Sequence, residues 1–365
     1  MKYLIAQDWS NTHGNHAGMV HMCQMLVERF PDQYKMIVME QPQYPPQRKG
    51  LLLLLDKVCN NLSIENDGNP LNHYKNHIFK EKLLALCEPM FKSLKEGDEV
   101  FLLEYLTFNA PQYELACYIK RAFPFIRIYA LTHLTVISLK KYQHFIGRNL
   151  IKKWAKPVDK MLTLGTSLSY YLESCGIDKS KISTGFHYVD LEYYNKKEPL
   201  EVHQPIRVIT MGAMKRNYAL LADIVKKCPD VNWTICRGNN RDIDAIFKEY
   251  NNVSLKGFLN EDELKHQMDL ADISINVMED TIGSNVITTS LAMGLAMVVS
   301  DVGSIRDYTD DTNALFCSND EGSFRAAINL LAHDKEKVLQ MKKSSINLSK
   351  RLNISSINEW FSSLH

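Results

Sequence analysis

No stretch of this chain is apolar for long enough to cross a membrane. The longest unbroken aliphatic run, Leu51–Leu55, falls far below the ~20 residues that a spanning helix needs. Charge of one sign is not in excess either. Lys and Arg number 43 against 42 Asp and Glu, a formal net charge of +1, so no global field points to nucleic acid or to an acidic substrate. Cysteine pairs at two-residue spacing are missing. The eight cysteines, Cys23, Cys59, Cys87, Cys117, Cys175, Cys228, Cys236 and Cys317, are scattered, which argues against a zinc site or a disulfide framework and for a reducing compartment. No dinucleotide fingerprint follows the first apolar run, and no phosphate loop ending in Gly-Lys-Ser or Gly-Lys-Thr occurs. The opening run Met1–Ala6 stops at Gln7-Asp8 and reads as a first strand, too short for an export signal.

What remains is a globular composition, 45% hydrophobic and 23% charged. A length of 365 residues suggests two domains of about 150–200 residues each. The expected location is cytoplasmic, with room for attachment to a membrane surface. The stretch that organises the rest runs from Ile273 to Asp307. An apolar run gives way to the acidic turn Glu279-Asp280-Thr281, then to Gly283-Ser284-Asn285, a helical segment, and a second apolar run ending at Ser300. That is one βαβ unit. Its glycine turn sits where the helix begins, where free backbone N–H groups and the positive end of the dipole favour an anion.

In the first half, strands are expected at Lys2–Ala6, Tyr34–Glu40, Asp98–Glu104, Ile126–Leu131, within Lys160–Thr166, where strand gives way to turn, and from Lys181. Helices are expected at Met19–Phe30, Phe79–Leu94, Pro111–Phe123 and Ser167–Cys175. Pro42–Pro46 reads as a rigid loop and Asn60–Asn76 as irregular. The loop after the first strand carries His13, Gly14 and His16, at the strand end where open α/β sheets bind ligands. Contact with a sugar or acceptor and a plain solvated loop explain these histidines equally, and a metal is not favoured, because carboxylate and cysteine partners are lacking nearby. His133 follows the strand ending at Leu131 directly and should face a crevice; a structural loop histidine is the competing reading. Lys140–Lys156 alternates cations with Phe145, Ile146, Leu150, Ile151 and Trp154. It suits either a basic amphipathic helix on an anionic membrane or a solvated helix packed on its own domain. The polar stretch from Tyr194 to Gln204 reads as the domain linker.

The second half starts afresh. Ile206–Met211 reads as a strand ending in Gly212, followed by Lys215-Arg216 and a helix from Tyr218 to Lys227; a glycine and two cations after a strand suit an anionic ligand. The strand Asn232–Cys236 ends in Arg237-Gly238, and Val253–Leu259 is strand and loop, with Gly257-Phe258 in it. Helices are expected at Asp242–Tyr250, Glu261–Leu270, Glu321–Leu331, Lys335–Leu352 and Ser355–His365. Strands and helices alternate in both halves, which implies two doubly wound parallel sheets.

With these pieces in order, the chain resembles the GT-B glycosyltransferases, in particular the retaining family four, the glycosyl transferases group 1. The likeness rests on Thr163–Leu172, on the loop Gly185-Phe186-His187-Tyr188-Val189-Asp190, on Lys256-Gly257-Phe258-Leu259, on Ala271-Asp272 and on Ala292–Gly303. It implies two Rossmann-like domains facing a central cleft. Residues 1–195 would bind the acceptor, residues 206–348 the nucleotide sugar, and a helix in 349–365 would pack back on the first domain.

The resemblance also implies roles. Lys215 and Arg216 match the basic pair that neutralises the donor diphosphate, although the arginine usual directly after the glycine is Ala213 here. Arg237, Gly238, Gly257 and Phe258 fall where the base is held, and Gly283, Ser284, Asn285 and Val286 where backbone amides meet phosphate. His133 matches a histidine near the reacting sugar, and Gly14 a loop that closes on donor and acceptor. His13 and His16 would contact the acceptor. The family's two glutamates are replaced: Thr281, preceded by Glu279 and Asp280, stands at the first position and Thr289, on the ribose, at the second.

The implied activity is retaining, metal-independent transfer of a sugar from a UDP or GDP donor to a glycan or lipid-linked acceptor in cell-surface polysaccharide or glycoconjugate synthesis. It needs no cofactor. A non-catalytic GT-B subunit and a sugar-nucleotide epimerase remain as alternatives.

Overall fold

The computed structural model describes residues 1–9, 14–40, 70–106, 112–140, 149–196, 198–212 and 215–364. His13, Ala213 and the loop Pro42–Pro46 lie outside the described residues. The chain divides into two compact units, Met1–Gly14 with Gly18–Gly185, and Asn15–Ala17 with Phe186–His365. The stretch read as the linker lies inside the second unit.

The first unit is a six-stranded parallel sheet of β1 (Lys2–Gln7), β2 (Tyr34–Met39), β3 (Glu99–Leu102), β4 (Arg127–Leu131), β5 (Lys160–Thr163) and β6 (Ile182–Thr184). The order is β2-β1-β3-β4-β5-β6. Central strands are apolar on successive residues because a parallel sheet is covered on both faces; Val100, Phe101 and Leu102 are all fully buried. The helix Met19–Arg29 buries Met19, Met22, Cys23 and Leu26, the i, i+3, i+4, i+7 stripe that seats a helix on a sheet. The next helix begins at Pro70 and runs to Phe91, so the second part of the stretch expected to be irregular is helical. Proline at a first helical position fits, since its missing N–H has no partner there in any case.

The basic segment Lys140–Lys156 is described only in part, with Phe145 and Ile146 outside the described residues. Lys140 closes the short helix Val136–Lys140, a second short helix is Leu150–Trp154, and the side chain of Asn149 caps the second by accepting from the Lys152 N–H at 2.9 Å. Leu150, Ile151 and Trp154 are buried, and Tyr105 donates to the Trp154 carbonyl at 2.6 Å. The apolar side of that piece packs on its own unit, in line with the second of the two readings. No helix among the described residues is long and apolar enough to cross one.

The second unit holds β7 (Arg207–Met211), β8 (Asn232–Cys236), β9 (Val253–Lys256), β10 (Ile273–Asn276), β11 (Ala296–Ser300) and β12 (Ala314–Cys317). All pair in parallel in the order β12-β11-β10-β7-β8-β9. Successive residues of one strand feed two cores, as a period of two requires. Val208, Ile275 and Val298 enter one, while Ile209, Met211, Met297 and Val299 enter the other. Full burial of such a side chain contributes about 2 kcal/mol.

Helix ends follow their capping residues. Asn260 and Glu263 form a reciprocal capping box on Glu261–Asp269, and Asp320 accepts from Ser323 N–H to start Glu321–His333. The segment expected as helix from Asp242 is a 3-10 turn, Arg241–Ile243, followed by one turn of helix at Asp244–Phe247. The final helix, Ile354–Ser362, groups with the second unit, where the Trp360 ring lies 6.3 Å from that of Phe186.

A buried ion pair braces the back of this unit. Lys342 donates to the Glu201 carbonyl at 2.8 Å and lies 3.3 Å from Asp272. Asp272 in turn accepts from His203 Nδ1 at 3.0 Å and from the Arg207 N–H at 3.0 Å.

Candidate functional site

In the second sheet the chain winds outward in both directions from the β10/β7 neighbour pair. Loops leaving adjacent strands diverge at such a switch point and open a crevice at the carboxyl ends. The loop after β7 and the loop after β10 meet there. Arg216 and Met278 form an isolated antiparallel bridge. Asn217 N–H donates to the Val277 carbonyl at 3.1 Å and Glu279 N–H to the Lys215 carbonyl at 3.0 Å. The β10 loop is also tied sideways, because Met278 N–H donates to Ser300 Oγ at 2.8 Å and Asn319 Nδ2 to the Met278 carbonyl at 2.9 Å.

Gly212 leaves β7 with φ +79, a conformation side chains resist. A Cβ there would lie 3.0 Å from Val286 Cγ2 and 3.5 Å from Arg216 Nη2. The glycine lets the backbone, the guanidinium and the start of the helix Asn285–Ala292 come together. Lys215 also adopts a left-handed conformation, φ +54, a rarity for a non-glycine residue.

The electrostatics of this corner are one-sided. Arg216 Nε and Nη1 are covered from solvent and meet no hydrogen-bond partner. No ion pair engages Arg216 or Lys215 among the described residues. Burial pushes the Arg216 guanidinium down to about 10. Beside it the helix presents an open N-terminus. Ser284 is its N-cap residue, but its hydroxyl makes no cap bond and is itself buried without a partner. Buried polar groups are nearly always satisfied, and a buried cation without a counter-charge is costly. An anion at this corner would supply both, with helix N–H groups adding to the field.

The glycine turn is fixed from behind. Gly283 has φ +90, and a Cβ on it would lie 2.2 Å from Tyr308 Oη. The same Tyr308 hydroxyl accepts from the His187 N–H at 2.8 Å. Gly303 lies against the other side of the loop, where a Cβ would meet the Thr281 carbonyl at 2.2 Å and Asp280 Oδ1 at 2.7 Å. Asp280 and Thr281 are buried beneath it, while Glu279 is exposed.

Residues 206–334 match the sequence model of the family Glycosyl transferases group 1. The match lies within the second unit. The chain is a glycosyltransferase with the GT-B fold. Solved structures of similar fold include HepE of Anabaena in complex with UDP-glucose, 14% identical over 99% of this chain and 98% of that one, TM-score 0.65. Another is sucrose-phosphate synthase of Thermosynechococcus elongatus, 12% identical over 100% and 98%, TM-score 0.70. A third is a glycosyltransferase of Rickettsia africae, 11% identical over 99% of each chain, TM-score 0.63. No curated protein matches in sequence.

The other expected site residues of the glycosyltransferase are distributed as follows. Gly212, Lys215, Arg216, Glu279, Asp280, Gly283, Ser284, Asn285 and Val286 all belong to the β7 and β10 loops and the helix start just described. Arg237, Gly238, Gly257 and Phe258 gather at the ends of β8 and β9. There Arg237 pairs with Asp244 at 2.5 Å and donates to the Gly238 carbonyl at 2.9 Å, so its charge is already met. Phe258 is 66% exposed and offers a free apolar face. Thr289 donates its hydroxyl proton to the Asn285 carbonyl of its own helix at 2.6 Å, which leaves it only acceptor capacity toward a ligand.

In the first unit Gly14 has φ +70 and is exposed. His16 groups with the second unit. Its N–H donates to Glu261 Oε1 at 2.8 Å, its Nδ1 lies 2.8 Å from Glu261 Oε2, and its ring stacks on Tyr193 at 3.8 Å. One ring nitrogen is thus committed to Glu261. His133 stands just beyond β4, with Nδ1 3.2 Å from Glu104 Oε2. Sequence reading passed over Glu104 as the end of a strand. Its signal was an acidic residue closing a buried run at the carboxyl edge of the sheet.

Proposed function

We propose that the protein transfers a sugar, with retention, from a nucleoside-diphosphate donor bound in the second unit to a glycan or lipid-linked acceptor. The observation that carries this reading is the buried, uncompensated guanidinium of Arg216 beside the open helix start at Ser284–Val286. A diphosphate supplies the missing anion. When the anomeric C–O bond breaks, the electron pair stays on the leaving phosphate oxygen and negative charge grows there. Arg216, Lys215 and the helix amides would stabilise that charge. The chain's own cations can serve the diphosphate in this way, so the reading needs no metal. HepE, of similar fold, holds UDP-glucose, which makes UDP the first nucleotide to test. Thr289 would accept, not donate, at the ribose.

The test is calorimetric titration with UDP and GDP, followed by a panel of their sugars with NMR detection of the product anomer. Binding of one nucleotide and release of it from its sugar are expected. Failure to bind either nucleotide would sink the proposal. Interconversion of donor sugars without transfer would turn it toward an epimerase.

A further inference from the structure

We infer that the second unit carries a further binding site, a groove at the amino ends of β7, β8 and β9 that takes an acidic sugar residue of a glycan through Arg207. This goes beyond the donor reading above and does not depend on it.

The groove is written in the strands that floor it. Parallel strands are normally apolar on both faces. Here β8 reads Asn232-Trp233-Thr234-Ile235-Cys236 and β9 reads Val253-Ser254-Leu255-Lys256, polar and apolar by turns. Trp233 and Ile235 enter one core, and Val253 and Leu255 pack against it. With a period of two, Asn232, Thr234 and Ser254 face the other side. Arg207 does the same on β7, one residue before Val208 of that core. The helix Glu261–Asp269 lies on this other side. It buries Met268 but leaves Gln267 half-buried and Leu270 39% exposed. Between its end and the bare strand face lies a groove of about 440 Å³, within the ~300–1,000 Å³ range of small-ligand sites. Arg207, Asn232 and Val253 are the first residues of their strands. The groove therefore sits at the opposite edge of the sheet from the anion corner, separated from it by the length of β7, about 17 Å.

Charge and hydrogen-bond capacity set the ligand class. No carboxylate lines the groove, and no ion pair engages Arg207 among the described residues. Its Nη1 donates to the Leu270 carbonyl at 3.5 Å, a long bond that leaves most of the guanidinium N–H groups open. The side chains of Asn232, Thr234, Ser254 and Gln267 likewise make no hydrogen bond among the described residues. Amides and hydroxyls both donate and accept, as sugar hydroxyls do. One guanidinium fork meets one carboxylate through two parallel bonds. Trp233 turns its ring into the core and offers no face to a nucleotide base, and a polyanion would find a single cation. A uronic acid residue matches the set: one carboxylate for Arg207, hydroxyls for the amides, and ring C–H edges for Leu270. Such a site would hold a glycan chain away from the anion corner, so it would act on affinity for acidic glycans and not on the chemical step.

The probes are methyl β-D-glucuronide and its neutral counterpart methyl β-D-glucoside, titrated into the full chain with backbone 1H–15N detection. The glucuronide should bind saturably with a Kd of about 1–10 mM, shift the amides of Thr234, Ser254 and Gln267, and bind about fivefold or more tighter than the glucoside. Arg207→Met keeps the backbone N–H that Asp272 accepts and should weaken the glucuronide about 10-fold, to the level of the glucoside. Ser254→Glu, at an exposed position, sets a like charge in the groove and should weaken the glucuronide by about as much while leaving the glucoside unchanged. A thermal midpoint within about 3 °C of the wild type reports that each variant folds. Equal binding of the two sugars, a glucuronide affinity unmoved by both variants, or groove amides that stay still at about 50 mM glucuronide, several times the expected Kd, would overturn the inference. UDP titration is a separate readout: absence of UDP binding would overturn the donor reading and leave this site standing, and loss of this site would leave the donor reading intact.

Discussion

Replacing Arg216 by Met should make the protein more stable and worse at binding its donor. Burial holds the guanidinium at about 10 against an ordinary 12.5. At about 1.4 kcal/mol per tenfold in acidity, the penalty of keeping it charged is about 3 kcal/mol, and about 2 kcal/mol once the surroundings relax. The sign is clear. Arg stays protonated in the folded and unfolded states at neutral pH, so the penalty is present throughout that range and lifts only as pH rises above 10. Methionine fills similar space without a charge. The backbone role of residue 216, its bridge to Met278, survives. For a unit of this size the gain corresponds to a rise in Tm of about 5 °C or more. Hydrogen bonds to a charged group contribute about 1.5–3 kcal/mol, so UDP affinity should fall roughly 10- to 100-fold. The assay is differential scanning calorimetry with and without UDP, paired with titration calorimetry. A variant that is less stable and binds UDP as well as the wild type would refute the reasoning, because Arg216 would then be serving the fold.

Three further outcomes are expected. Gly283→Ala should destabilise by about 3 kcal/mol, since its Cβ would overlap the Tyr308 hydroxyl at a conformation alanine resists; chemical denaturation measures it, and a change below about 1 kcal/mol would mean that the turn is not held by Tyr308. Lys342→Met should lower stability by about 3 kcal/mol by leaving the Asp272 carboxylate buried beside a neutral chain, and adding Asp272→Asn should restore part of the loss; strict additivity of the two would contradict the pairing. Thr289→Val should lower UDP affinity about two- to tenfold, because it removes the one acceptor that Thr289 offers the ribose while its proton serves the Asn285 carbonyl; an unchanged affinity by titration calorimetry would show that the hydroxyl does not reach the ligand.

Much of the second sheet was legible because its strands are apolar runs closed by turn residues. Asn232–Cys236 and the helix Tyr218–Lys227 coincide with their expected bounds. β12 escaped notice because Ala314–Cys317 is four residues between Asp-Thr-Asn and Ser-Asn-Asp, too short to show a period. The helix from Pro70 was hidden by its Asn, His and Lys, which mask periodicity, although the proline itself is a start signal. The glycine turn and the two cations at 215 and 216 could be read as an anion site from their place after strands. That one of those cations is buried without a counter-charge could not, because burial depends on the loop after β10 folding over it. Glu104 shows the same limit: its partner is 29 residues away, and only strand pairing brings them together.

The support behind the glycine turn bears on how such a site can change over time. Gly303 and Tyr308 contact Thr281, Asp280 and Gly283 from the side away from the helix start, so substitutions there would distort the turn without altering any group that meets a ligand. Ser284, by contrast, makes no cap bond and no side-chain bond that the fold depends on, whereas Val286 packs on the second core. Variation at the anion corner can therefore accumulate at 284 at little risk to folding, while 283, 286, 303 and 308 should resist exchange in any library selected for an intact protein. A designer who wishes to retune the site would randomise 284 and leave the others untouched.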